Sequence, residues 1–285
     1  MHSQVTPHSA EAVTLEGRFG PVGALRRAGA GPLVLLVPGY TGSKEDFAPL
    51  LDPIAEAGFE VVAIDLPGQM DSAGPESESG YLPEPLGVFL AELVEKFAAE
   101  RSVLLTGHSY GGLVCRRAVL AGAPVAGLTL MDSGPADLPV GPRRHMLDIG
   151  EPVLRDNGVP AVHKILEVLN GQSPRWQRMS PAQREFLGAR FLRNRAEALL
   201  GMGSGLRTEP DLVAELAREL RASNTPVLVI CGENDDAWPA SAQRDMADRL
   251  EADFSVVPDA AHSPAIENPE TLLATLIPTW QAWTS

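Results

Sequence analysis

Cysteine is scarce in this 285-residue chain, with only Cys115 and Cys231. Two thiols so far apart do not make a disulfide framework, and both read as buried side chains. No apolar run approaches the ~18 residues needed to span a bilayer. The opening stretch MHSQVTPHSAEAV lacks the basic segment and apolar run of a secretory signal. Together these absences predict a soluble, cytoplasmic protein with no membrane partner. Basic residues are also short, 23 against 37 acidic, for a formal net charge of -14. That balance disfavours nucleic acid as a partner, because a surface binding a polyanion carries a basic excess. It leaves an anionic small molecule open.

What is present is an ordinary globular balance, 44% hydrophobic and 21% charged, with length for either two domains or one domain carrying an insertion. Short runs rich in Val, Leu and Ile recur between longer amphipathic stretches. The runs are Leu33 to Val37, Glu60 to Ile64, Val103 to Thr106, Ala126 to Met131, Val227 to Cys231 and Phe254 to Val257. Such near-continuous hydrophobicity predicts strands buried on both faces of a mainly parallel sheet. Val13 to Phe19 and Val22 to Arg27, split by Gly20-Pro21, predict an antiparallel hairpin at its edge. Helices are expected at Lys44 to Ala57, Pro85 to Glu100, Tyr110 to Ala121, Pro210 to Arg221, Ala240 to Leu250 and Pro269 to Trp283. The fold class is therefore α/β, doubly wound. The alternation stops between Gly134 and Arg207, where the sequence turns helical and reads as an insertion. That segment holds eleven basic and seven acidic residues, +4, leaving -18 for the rest. Its basic groups either coat a solvated helical surface or meet an acidic substrate.

Chemistry concentrates at VLLTGHSYGG, residues 103–112, a strand, a tight turn and a helix. The turn fits the pattern G-x-S-x-G in its required context, with Ser109 lifted beyond the sheet and Gly107, Gly111 and Gly112 giving the smallness that close packing demands. A serine hydroxyl needs a base, and the base an orienting acid. Both follow in the chain order Ser, acid, His. Asp235 lies in the loop after Val227 to Cys231, and His262 in the loop after Phe254 to Val257, beyond strand ends where α/β sheets build their sites. Asp132 and Asp236 compete as the acid. His2, His8, His108, His145 and His163 are weaker candidates for the base, with His108 expected to point into packing. An oxyanion formed at Ser109 needs fixed donors. The amide of Tyr110 is one candidate, and that of Tyr40, in Pro38-Gly39-Tyr40-Thr41-Gly42, the other; Pro38 has no N–H to offer.

With these residues assembled, the chain resembles the α/β-hydrolase superfamily, in particular its capped serine hydrolases. PGYTGSKEDF is similar to the family's oxyanion loop, DLPGQMDS to its second loop, GHSYGG to its nucleophile elbow, GENDDAWP to its acid loop and AHSPAIENP to its histidine loop. The resemblance implies an eight-stranded, mostly parallel sheet with a helical cap after the sixth strand. Residues 1–133 and 208–285 would form the core and 134–207 the cap. It also implies hydrolysis of an ester, lactone, thioester or amide through an acyl-enzyme, with no metal or organic cofactor. Ser109 argues against the dehalogenases and epoxide hydrolases, which carry Asp there. Pro38 replaces the usual His before Gly39, and Gln69-Met70 the His-Gly of the second loop. Both are expected to adjust the loops around the site.

The substrate expected is a small acyl compound, partly hydrophobic or anionic. Residues expected to bind it include Met70, His145, Met146, Trp176 and Trp238, with Tyr40, Tyr110, Phe186, Phe191 and Met202 also open; the alternative for the aromatic and Met residues of the insertion is packing within the cap. The same triad would serve acyl transfer, carbon–carbon bond hydrolysis or perhydrolysis, and the fold without turnover would serve as a ligand-binding module.

Overall fold

The computed structural model describes residues 2–285, Arg175 by its backbone alone. β1 (Glu11–Gly17) and β2 (Gly20–Arg27) form the expected antiparallel hairpin, but its turn is Arg18-Phe19, with Gly17 opposite Gly20, and the Gly20-Pro21 pair expected to make the turn instead opens β2. β3 (Leu33–Val37), α1 (Ala48–Glu56), β4 (Glu60–Ile64), α2 (Pro83–Ala98), β5 (Val103–His108), α3 (Tyr110–Leu120) and β6 (Gly127–Met131) follow in alternation. Five helices come next: α4 (Pro142–Asn157), α5 (Val159–Gly171), α6 (Pro174–Arg178), α7 (Pro181–Leu192) and α8 (Ala196–Thr208). The alternation then resumes with α9 (Val213–Ser223), β7 (Val227–Gly232), α10 (Ala240–Leu250), β8 (Asp253–Val257), α11 (Pro264–Glu267) and α12 (Pro269–Trp283).

The eight strands make one sheet in the order β1-β2-β4-β3-β5-β6-β7-β8. β2 meets β4 antiparallel, and every pairing from β4 to β8 is parallel. Side chains alternate across it, so Leu33, Leu35 and Val37 join the layer under α2 and α3, while Val34 and Leu36 join the layer under α1 and α12. This explains the unbroken apolar run of β3, all five residues of which are buried. The edges read differently. β1 is largely exposed, and β8 leaves Val256 37% exposed.

The helix expected from Pro85 begins two residues earlier, at Pro83, and two others begin differently, each for a local reason. The one expected over Lys44 to Ala57 is divided into a 3-10 turn, Lys44–Phe47, and α1. The turn is tethered: the Lys44 amide donates to Asp65 Oδ1 at 2.9 Å, and the Ser43 amide to Asp46 Oδ2 at 3.1 Å. The helix expected from Pro210 starts at Val213, whose amide donates to the Asp211 side chain at 3.0 Å.

Lys44 also ties the loop after β3 to the loop after β4. Its Nζ lies 2.7 Å from Asp65, 2.8 Å from Asp71 and 3.1 Å from Glu45, with 4% of its side chain exposed. Burial opposes its charge, but the pull of Asp65 and the hydrogen bonds to Asp65 and Asp71 outweigh it and hold the pKa above the usual lysine value. Removing one partner of a buried pair strands the other. Urea unfolding at pH 7 is expected to show Lys44→Met less stable by about 3 kcal/mol, with Lys44→Met/Asp65→Leu recovering much of the loss. Equal stability of Lys44→Met and wild type would refute this account of the loop.

Candidate active site

Ser109 is the single residue between β5 and α3, and it holds φ 55°, ψ -120°. An L-residue adopts that conformation only where its surroundings enforce it. Here the Ser109 amide is fixed on the Met131 carbonyl at 2.9 Å, and the Ser109 carbonyl accepts from Gly112 at 2.9 Å. The flanking glycines permit the turn, since a Cβ on Gly107 would sit 2.5 Å from the Gly111 carbonyl oxygen and 2.7 Å from Cys115 Sγ. His262 Nε2 lies 2.9 Å from Ser109 Oγ, and His262 Nδ1 lies 2.7 Å from Asp235 Oδ1. With Nδ1–H donating to the carboxylate, Nε2 is left to accept from the hydroxyl. The Asp235 side chain is fully buried and accepts two more bonds, from the Ala237 amide at 2.8 Å and from Gln243 Nε2 at 2.7 Å.

Asp132, the competing acid, is close by: its carboxylate and the ligating atoms of Asp235 and His262 lie within 4.8 Å of one another. Its Oδ1 is taken by the Gly232 amide at 2.9 Å. Burial, and next the charge of Asp235, raise its pKa well above the carboxylate range. Asp236, the other competitor, turns away to pair with Arg143 at 2.6 Å.

Two supporting residues escaped the sequence reading. Gln243, buried on α10, orients Asp235 and also donates to the Trp238 carbonyl at 2.9 Å. His108, expected in packing, instead faces the cavity. Its Nε2–H donates to the His262 carbonyl at 2.6 Å, and the two rings lie 5.1 Å apart. The motif departure at Gln69 also acquires a role. Its Nε2 donates to the Gly39 carbonyl at 2.8 Å, and Oε1 accepts from the Leu66 amide at 3.2 Å. Because a trans peptide points its carbonyl and its following N–H in opposite directions, this clamp fixes the direction of the Tyr40 N–H. The clamped loop runs against the elbow, where a Cβ on Gly39 would come 2.9 Å from Ser109 Cβ. Tyr110 opens α3 with its side chain buried, donating to the Tyr81 carbonyl at 2.6 Å, so only its amide is at issue here.

A cavity of about 830 Å3 opens over Ser109 and His262, at the ends of β3, β5, β7 and β8 and under the inner faces of α4, α5, α7 and α8. Met146, Trp176 and Phe191 line it as expected. Other expectations fail. Met70 lies off the wall, its carbonyl facing Arg193 at 3.5 Å. His145 is exposed and off the wall, because α4 turns Met146 and Leu147 inward and its neighbour in sequence outward. Trp238 is 2% exposed and packs behind His262, with Nε1 donating to the Asp137 carbonyl at 3.1 Å. Phe186 and Met202 are also off the wall.

A family model described as the alpha/beta hydrolase family matches residues 34–275. The chain belongs to that family, and it is an enzyme of this fold. Among curated proteins it is 27% identical over 249 residues to a Bacillus subtilis (strain 168) protein that carries the name 2-succinyl-6-hydroxy-2,4-cyclohexadiene-1-carboxylate synthase; the match covers 84% of this chain and 87% of that one. Among solved structures it is similar to a thermophilic esterase from Thermogutta terrifontis with malate bound, at TM-score 0.75 and 23% identity, covering 97% and 100% of the two chains. It is also similar to MenH from S. aureus, at TM-score 0.74 and 18% identity, covering 92% and 99%. At those identities the structures speak for the fold. No helix among the described residues is long and apolar enough to cross a membrane.

In this hydrolase His108 carries a pH signature. Burial, and next the neighbouring His262, pull its pKa from 6.5 down to about 4. The unfolded chain therefore binds a proton there between roughly pH 6.5 and 4 that the folded chain refuses, so His108 weakens the fold as pH drops through that window. His108→Gln keeps a donor for the His262 carbonyl without the titration. Urea midpoints measured across the window are expected to fall less steeply with acid in His108→Gln than in wild type. Parallel curves would contradict a buried neutral His108.

Proposed function

We propose that this α/β hydrolase cleaves a carboxylic ester, lactone or thioester through an acyl-enzyme on Ser109, with His262 as base and Asp235 as its orienting acid. The observation that carries the reading is the pair of bonds from Ser109 Oγ to His262 at 2.9 Å and from His262 to Asp235 at 2.7 Å, at the floor of a cavity. His262 Nε2 takes the hydroxyl proton as Oγ attacks the carbonyl carbon. The resulting oxyanion accepts from the Tyr40 and Tyr110 amides, the latter at the positive end of α3. Collapse breaks the bond to the alcohol or thiol, which leaves with the proton from His262. Water then gives a proton to His262 and attacks the acyl carbon, and Ser109 departs with that proton as the carboxylic acid is released. Residues 134–207 act as a cap that shields these steps from bulk water.

The name carried by the Bacillus subtilis relative, a synthase of a cyclohexadiene carboxylate, suggests a second reading in which the same base works on a substrate bearing carboxylates. The wall of this cavity disfavours it. Its arginines are already paired: Arg143 with Asp236 at 2.6 Å, Arg190 with Asp46 at 2.6 Å, and Arg207 with Asp148 at 3.3 Å and with Glu151.

Ser109→Ala is expected to lower kcat/KM on p-nitrophenyl butyrate by at least about a thousandfold with unchanged circular dichroism. Retention of the wild-type rate would overturn the mechanism. Product analysis with an added alcohol is expected to yield free butyrate as the main product, whereas a predominance of the new ester would assign acyl transfer.

A further inference from the structure

Two kinds of wall meet over Ser109. The sheet side is polar, with Thr41, His108, His262 and Ser263 at the floor. The helical side is apolar along two stripes, Met146, Ile149 and Val153 on α4 and Val162, Ile165 and Leu169 on α5. Each stripe follows the spacing i, i+3, i+7 and so presents one face of its helix to the cavity. Among the described residues, those faces are only partly covered. Met146 is 39% exposed, Ile149 48%, Ile165 40% and Leu169 44%. With Val168, at 66%, they make up most of the exposed large apolar side chains among the described residues. Scattered apolar residues on a surface need no explanation, but a cluster of them continuous with a reactive cavity marks where apolar matter binds.

The charges on the same wall argue in the same direction. The three arginines, Arg143, Arg190 and Arg207, face four carboxylates, Asp46, Glu151, Glu167 and Asp236. Each arginine is held in an ion pair, and Arg190 keeps only 13% of its side chain exposed. Gln4 donates to the same Asp46 carboxylate at 3.0 Å, so that pair is closed from a second side. A carboxylate-bearing chain entering here would have to break one of these pairs or sit beside acids with no counter-charge of its own. The three arginines on this wall are thus already occupied by carboxylates of the protein.

We infer that the substrate is an uncharged ester or thioester carrying an unbranched hydrocarbon chain, and that this chain lies along the α4–α5 stripes while the carbonyl sits over Ser109. The inference rests on the serine-hydrolase reading above and adds the class of substrate. Burial of each methylene against these residues transfers it out of water, so kcat/KM grows with chain length until the stripes are filled. The hydrocarbon lies on either the acyl or the alcohol side of the ester, and two substrate series tell these apart.

The test is the chain-length profile of the full-length protein with p-nitrophenyl acetate, butyrate, hexanoate and octanoate, beside ethyl, butyl and octyl acetates. In one of the two series kcat/KM is expected to rise roughly two- to fourfold per added methylene. The series that rises assigns the side of the ester that the stripes hold. Ile165→Asp and Leu169→Asp change half-exposed positions and are expected to fold; each is expected to cut the octyl-to-short-chain ratio in that series by about tenfold, by placing a charge where the chain must lose water. Flat or falling profiles in both series, with turnover that still depends on Ser109, would overturn this inference and leave the hydrolase reading standing. So would a preference for p-nitrophenyl hydrogen succinate over the butyrate. If no ester is cleaved and Ser109 reacts with no organophosphorus probe, both readings fall together.

Discussion

One constraint governs the rest of the site: the chain must reverse from β5 into α3 through a single residue, Ser109, at φ 55°. Such a conformation costs about 1–3 kcal/mol and persists only where neighbours over-determine it. The neighbours here are backbone. The Ser109 amide is bound to β6, and glycines at 107 and 111 let the strand, the helix and the loop after β3 approach within contact distance. The reward is a hydroxyl that stands clear of the sheet, beside the first amides of a helix, where loops from β3, β7 and β8 converge.

Around that hydroxyl, burial moves two ionisable groups toward their neutral forms. The Asp235 side chain is buried and accepts from His262, Gln243 and the Ala237 amide. Asp132 is buried beside it with one backbone donor and stays protonated. His108 is kept neutral by the same desolvation and serves as a strut between the elbow and the histidine loop. Burial thus favours the neutral form of both Asp132 and His108, which limits the repulsion that a low-dielectric site magnifies.

Much of this architecture is legible in the amino acids. The strands after the hairpin are read from apolar runs, and β3 and β4 coincide with their expected limits because both faces of each are covered and the run ends where cover ends. Ser109, Asp235 and His262 are legible because each follows a strand in a fixed order. What stays hidden depends on distant contacts. Gln243 is one helical residue among many until α10 brings it to Asp235, and Gln69 looks like a departure from a motif until its amide is seen to clamp Gly39. Met70, His145 and Trp238 fail as wall residues for the converse reason. Residue type does not say which face of a helix, or which side of an imidazole, a side chain occupies. The basic excess of residues 134–207 misleads in the same way, since its arginines on the cavity wall find carboxylates that sequence alone does not place opposite them.

The central claim is that Ser109 is an activated nucleophile open to the cavity, and covalent labelling tests it most directly. Incubation with a fluorophosphonate followed by intact mass measurement is expected to show a single adduct on the wild-type chain and none on Ser109→Ala. An unlabelled wild type of native circular dichroism, or an adduct that survives the substitution, would contradict the account.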